Sequence, residues 1–202
     1  MIFFDYDGVL VDSLWLWEEA CKNAAKELGF SGEFPHKPYA NLNPLAHKEI
    51  GSKLGLDSLL FERSADLYVL AHIDEITLFS DTEALLQELS QYDDLSVMSA
   101  SHLSIVESSL QSLGVLKYFK ALYCGSEVSK AQKLERYKDS TSVMIGDGIS
   151  DMQAAKKAKV YGIGVLWGWQ EAQMLQDADI LVANHTELKN AIKDFYENHS
   201  AY

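Results

Sequence analysis

With 202 residues, 48% of them hydrophobic, the chain can bury one sizeable core and a smaller attached unit. A net charge of −13 and the lack of any basic block exclude the phosphate-neutralising surface on which nucleic-acid binding rests. No apolar run approaches the ~20 residues of a membrane span, and Cys21 and Cys124 are too few for a disulfide framework or a zinc site.

Met1 leads straight into the first predicted strand, which leaves no room for a signal peptide, so a cytoplasmic location is expected. Ile2-Phe3-Phe4 is a short, continuously apolar run of the kind a fully buried strand shows. It ends in Asp5-Tyr6-Asp7-Gly8. At period two both carboxylates leave the strand on the same side, where Gly8 lets the backbone turn. Carboxyl ends of strands are where open α/β sheets bind ligands. Two close carboxylates repel, so one holds a proton or both face a cation, and all-oxygen ligation suits magnesium. A solvated turn is the ordinary reading of a lone D-x-D. The residues downstream decide against it here.

Ser13 is placed to cap a helix from Leu14 to Leu28, with Gly29 as its stop. Leu14, Trp17, Cys21, Ala24, Ala25 and Leu28 recur at three- and four-residue steps and predict one buried face. Trp15 and Leu16 fall off this stripe and read as extra core or as a wall over the strand end. Residues 30 to 43 are aperiodic and proline-rich, so they read as a loop. Asn43-Pro44 is expected to open a helix to Leu54, and Asp57 to cap another to about His72. The stretch 14–77 therefore reads as all-helical.

Beyond it strands and helices alternate. Ser80-Asp-Thr-Glu83 has the spacing of a capping box and opens a helix through Leu89. Strands are predicted at Leu95–Met98, Ala121–Cys124, Ser142–Ile145, Val160–Val165 and 179–183, with helices at 102–113, 130–137 and 150–158. Thr186 is expected to cap a last helix. Such alternation predicts a parallel sheet with helices on both faces.

Three further sites fall at strand or helix ends. Ser99 closes the second strand, and its hydroxyl with nearby backbone N–H groups, that of Ala100 included, makes an anion seat before a helix. Ser101 reads as a cap for that helix. Lys130 opens the helix at 130–137 and Lys133 follows one turn on; taken alone both read as ordinary solvated lysines, and the resemblance given below makes them rivals for the role of counter-charge. In Gly146-Asp147-Gly148-Ile149-Ser150-Asp151, Asp147 sits at a strand end like Asp5, and Asp151 in the first turn of a helix, where the dipole favours an acid.

Asp5-x-Asp7-Gly8-Val9-Leu10-Val11-Asp12-Ser13 resembles the first motif of the haloacid dehalogenase superfamily in its phosphatase branch; the dehalogenases of that family lack the second Asp. An EF-hand loop also begins D-x-D, but its third acid and distal Glu are missing. Ser99, Lys130 and Gly146-Asp147-x-x-x-Asp151 resemble the second, third and fourth motifs, and Gly162-Ile-Gly164-Val-Leu-Trp167-Gly168 is similar to phosphoglycolate-phosphatase-like members. The resemblance spans essentially the whole chain. It implies a Rossmann-like core at 1–13 and 78–202 with a helical cap inserted at 14–77. It further implies Asp5 as nucleophile, Asp7 as acid/base, and Ser99, Ala100 and Lys130 as phosphate ligands. A Mg²⁺ ion would be held by Asp5, the Asp7 backbone carbonyl, Asp147 and Asp151.

The expected activity is hydrolysis of a small phosphorylated metabolite such as phosphoglycolate or a sugar phosphate. A phosphomutase of the β-phosphoglucomutase type is the alternative, and a catalytically silent binding domain on this fold a third. The loop at 30–43 is the expected substrate reader, with Lys37, Lys48, Lys53 and Arg63 as candidate anion contacts. Nothing fixes an oligomeric state; a monomer is the default.

Overall fold

The computed structural model describes residues 1–43 and 45–199. Strand β1 (Ile2–Phe4) lies inside a six-stranded sheet, as its uninterrupted apolar sequence requires. The order is β5 (Phe119–Tyr123), β4 (Leu95–Met98), β1, β6 (Val143–Gly146), β7 (Tyr161–Val165) and β8 (Ile180–Val182). Every pairing is parallel. Phe4 stands opposite both Val97 and Ile145, so β1, β4 and β6 finish level. Asp5, Ser99 and Asp147 therefore emerge side by side from three adjacent strands. After β1 the chain builds outward through β4 and β5, then returns to β6 on the other side, a topological switch point of the kind that forms ligand crevices.

Alternation along β1 divides the core. Ile2 and Phe4 face a cluster that takes in Leu86 of α4 (Thr82–Leu89), Ile105 and Leu110 of α5 (Leu103–Ser112) and Leu188 and Ile192 of α8 (His185–His199). Phe3 faces the other side, with Met98, Met144, Leu134 of α6 (Lys130–Tyr137) and Ala155 of α7 (Ile149–Ala158).

The chain leaves the sheet after β1 through β2 (Val11–Asp12) and comes back through β3 (Thr77–Leu78). The two pair antiparallel, Val11 with Leu78 and Asp12 with Thr77, and form a neck. Between them, among the described residues, lie α1 (Leu14–Glu27), α2 (His47–Lys53), α3 (Ser58–Ala71) and a single 3₁₀ turn at Ile73–Glu75. Trp17, Ala20, Cys21 and Ala24 of α1 pack with Phe61, Ala65 and Val69 of α3, and this apolar cluster runs on into the sheet. Among the described residues no helix is long and apolar enough to cross a membrane.

Local chemistry differs from expectation at four helix starts. Ser13 precedes α1 but makes no cap hydrogen bond, because its hydroxyl is engaged elsewhere. The helix expected from Asn43-Pro44 begins at His47, and Pro44 lies outside the described residues. The Ser80–Glu83 capping box does not form; Asp81 takes a left-handed conformation with φ 64° and α4 starts without a side-chain cap. At α8 it is Asn184, not Thr186, that caps: its Oδ1 accepts the Glu187 N–H, while the Glu187 carboxylate accepts from Asn184 and from the Ala183 N–H.

Candidate active site

Asp5, Asp147 and Asp151, from two strand ends and one helix start, each offer a carboxylate oxygen, and these lie within 4.8 Å of one another. All three are buried. Lys130 reaches in from the first position of α6, with Nζ 2.8 Å from Asp5 Oδ2 and 2.5 Å from Asp151 Oδ1. Burial alone would lower the Lys130 pKa, but Asp151 and Asp5 outweigh it and keep the ammonium charged. Burial and the charge of Asp151 push the Asp5 carboxyl well up, with Lys130 opposing. Burial, then Asp151, likewise raises Asp147 to about 7. Asp151 serves the helix as well, its Oδ2 accepting the Gly148 N–H at 3.0 Å.

Close approach here depends on absent side chains. Gly8, at φ +76°, and Gly168 press on Asp147 so nearly that a Cβ on either would collide with its carboxylate. The Asp147 Oδ2 accepts the Trp169 N–H at 2.5 Å.

Asp7 sits apart from this cluster in a neutral cradle. Its Oδ1 accepts from the Ser13 hydroxyl (2.6 Å) and the Trp17 indole (2.9 Å), and its Oδ2 from the Ser101 hydroxyl (2.6 Å). Desolvation raises the Asp7 pKa, and the three donors pull against it. Asp5, Asp7, Ser99, Ala100 and Lys130 line one cavity of about 40 Å³, closed over by Tyr39, Leu45, Ala46, His47 and Trp169.

The structure brings together all seven residues singled out from the sequence, five lining the cavity and Asp147 and Asp151 joined to them through Asp5. It also separates the two lysines. Lys133 donates to the backbone carbonyls of Ser99, Tyr123 and Gly125 instead of facing the carboxylates, so it stiffens the loop that carries Ser99. Ser101 is not a helix cap; it holds Asp7. Trp15 is largely exposed and Leu16 is core, whereas Trp17, read as core, also serves Asp7. None of Lys37, Lys48, Lys53 and Arg63 lines the cavity. Gln170 went unnoticed in the sequence. Buried, it accepts the Ile149 N–H and donates to the carbonyls of Tyr39 and Leu42, tying the loop that bears Tyr39 to the start of α7.

The donor set fits a divalent cation. Three buried carboxylates against one ammonium leave two negative charges unbalanced, and the buried Asp147 Oδ1 has no hydrogen-bond partner among the described residues. Oxygen donors alone suit magnesium.

A family model described as haloacid dehalogenase-like hydrolase matches residues 2–165. The phosphoglycolate phosphatase of Synechococcus elongatus is 26% identical over 205 residues, covering 95% of this chain and 96% of that protein. That of Neisseria meningitidis is 24% identical over 219 residues, covering 98% and 92%. Among solved structures, a haloacid dehalogenase-like family hydrolase from Streptococcus pneumoniae superposes with a TM-score of 0.80 at 24% identity, covering 94% of this chain and 96% of that one.

Proposed function

The chain belongs to the haloacid dehalogenase-like hydrolases, and from that premise we propose that it is a magnesium-dependent phosphatase that cleaves small phosphomonoesters through an aspartyl-phosphate on Asp5. The observation that carries this reading is the division of the strand end. Asp5 stands against the Lys130 ammonium at 2.8 Å, while Asp7, two residues on, is held by neutral donors in the same cavity.

In the first step a carboxylate oxygen of Asp5 forms a bond to phosphorus as the ester P–O bond breaks, and the Asp7 proton passes to the departing alcohol oxygen. In the second, Asp7 takes a proton from water, the water oxygen bonds to phosphorus, and the P–O bond to Asp5 breaks. Phosphate leaves, Asp5 is again a carboxylate, and Asp7 is again protonated. Lys130, the Ser99 hydroxyl and the Ala100 backbone hold the phosphoryl oxygens. Asp5, Asp147, Asp151 and the Asp7 carbonyl are the groups that would hold magnesium. When bound, the metal supplies charge stabilisation to the transferring phosphoryl group.

Residues 14–77 act as a cap over a core made of 1–13 and 78–202, with the β2–β3 neck as its hinge. Tyr39 and His47 come from this segment and close the cavity, which supports that division. Closure excludes bulk water during the first step. Phosphate release from an aryl phosphate, with magnesium and then with excess chelator, tests the reading. Metal-dependent release is expected; none under either condition, or release indifferent to chelator, contradicts it.

A further inference from the structure

The cavity wall that the leaving alcohol must meet is built without a cation. Of the charged side chains among the described residues that line it, Asp5 and Asp7 are acidic and only Lys130 is basic. Lys130 is already paired with Asp5 and Asp151 and belongs to the phosphoryl end. None of the six Lys and Arg residues of the capping segment lines the cavity: Lys37 and Lys53 border a surface groove with Pro35 and Pro38, Arg63 borders another beside Leu60 and Leu67, and Lys22, Lys26 and Lys48 are absent from the cavity lining.

What the wall offers is neutral and polar. His47 stacks on Trp17 with ring centroids 3.9 Å apart and planes 14° off parallel. Its Nδ1 lies 3.0 Å from the Tyr39 hydroxyl, which in turn lies 3.1 Å from Cys21 Sγ and 3.5 Å from the Trp17 carbonyl. The Tyr39 hydroxyl engages Nδ1, so Nε2 is the ring nitrogen left to face a ligand, as donor in one tautomer and acceptor in the other. Nε2 has no hydrogen-bond partner among the described residues, and the ring lines the cavity. Desolvation lowers the His47 pKa to about 4, which opposes a second proton. Trp169, on the adjoining wall with its ring 4.7 Å from Tyr39, keeps a buried indole N–H that is likewise unpaired among the described residues. A buried donor left unpaired is costly, and a bound ligand oxygen is a partner for the Trp169 N–H, with His47 Nε2 on the same cavity wall to hold it.

We propose that the site takes a small phosphomonoester whose alcohol part bears a neutral oxygen, such as a hydroxyl, read by His47, and carries no second anionic group. This rests on the phosphatase reading above. A carboxylate on the alcohol part would lie in a desolvated pocket beside Asp7, with no cation to meet it, and burying an unpaired charge is strongly unfavourable. A hydroxyl instead pairs with Nε2 in either tautomer, accepting from N–H or donating to the bare nitrogen. The substrate class thus differs from the one that names the curated relatives: those act on phosphoglycolate, whose alcohol part ends in a carboxylate.

The experiment compares three two-carbon esters with the intact protein and magnesium: 2-hydroxyethyl phosphate, phosphoglycolate and ethyl phosphate. The expected kcat/KM for hydroxyethyl phosphate exceeds that for phosphoglycolate by about tenfold or more, the scale of one buried hydrogen bond gained and one charge left unpaired. The variant His47→Phe keeps a ring to stack on Trp17 but loses the hydrogen-bonding nitrogen. It is expected to lower kcat/KM about tenfold for hydroxyethyl phosphate and far less for ethyl phosphate, which has no hydroxyl to lose. Phosphoglycolate at or above hydroxyethyl phosphate, or equal losses on both esters in the variant, overturns the inference and leaves the phosphatase reading standing. Failure to hydrolyse any of the three, and an aryl phosphate as well, overturns both.

Discussion

Two residues apart on one strand end, Asp5 and Asp7 live in surroundings of opposite kind. Around Asp5 the neighbours are ionic and come from the core: Lys130, Asp147 and Asp151, with one ammonium among three acids. Around Asp7 they are neutral donors, Ser13 just before α1, Trp17 within it and Ser101 after β4. The first environment suits a group that attacks as an anion once a cation offsets the acids beside it. The second suits one that gains and loses a proton, because its hydrogen-bond partners are neutral and Lys130 exerts only the lesser pull. One sequence motif thus delivers two chemistries, and what separates them is the packing around each side chain rather than the side chain itself.

The largest effect is expected from Asp5→Asn, which removes the attacking oxygen anion while keeping the shape of the site. Turnover should vanish in a phosphate-release assay, with the far-ultraviolet spectrum unchanged. Next comes Asp147→Asn, on the same ionic side. It should lose magnesium-dependent turnover, and the rise in melting temperature that magnesium gives the wild-type protein should disappear with it, since binding to the folded state is what stabilises. A melting temperature that still climbs with magnesium would remove Asp147 from the ligand set.

On the neutral side single changes should be milder. Ser101→Ala or Trp17→Phe each removes one of three donors to Asp7 and is expected to cost roughly tenfold in kcat/KM. The pH profile carries the sharper signature. Those donors favour the carboxylate, so losing one raises the Asp7 pKa further above its ordinary value. The first step needs Asp7 protonated and fails as pH rises through that pKa. Its alkaline limb should therefore move to higher pH in both variants. A limb that stays put would mean the donors only hold the fold together.

The smallest catalytic effect is expected of Lys133→Met. Its ammonium serves three carbonyls and no carboxylate, so stability should fall by about 1–3 kcal/mol in a denaturant titration. Turnover at low temperature should stay close to that of the wild type.

The ionic half of the site was legible in the sequence and the neutral half was not, for a physical reason. Asp5, Ser99 and Asp147 follow apolar runs that can only be buried parallel strands, and neighbouring parallel strands finish level, so their ends must meet. Lys130 and Lys133 lie one turn apart on the same helix, and only the fold of the carbonyl-rich loop beneath decides between them. Trp17 falls on a buried stripe and looks like core, which it also is; its polar edge is invisible to periodicity. Ser101 precedes a helix and mimics a cap. Tyr39 and His47 come from or border an aperiodic loop, where no pattern specifies direction. Their placement depends on Gln170, more than 120 residues away in sequence, which grips the Tyr39 and Leu42 carbonyls.

The division of labour between the two carboxylates is tested most directly by trapping the intermediate. Asp7→Asn keeps the nucleophile and removes the proton carrier, so a good leaving group such as an aryl alcohol can still depart, while the water step loses a general base worth about 10²–10⁴-fold. Mixed with an aryl phosphate and magnesium, quenched and digested, this variant should carry one phosphoryl mass increment on the peptide that contains Asp5. The same treatment of Asp5→Asn should leave that peptide unmodified. An unmodified Asp5 peptide in an Asp7→Asn variant that still releases the aryl alcohol would contradict the covalent mechanism, and with it the assignment of attack to Asp5.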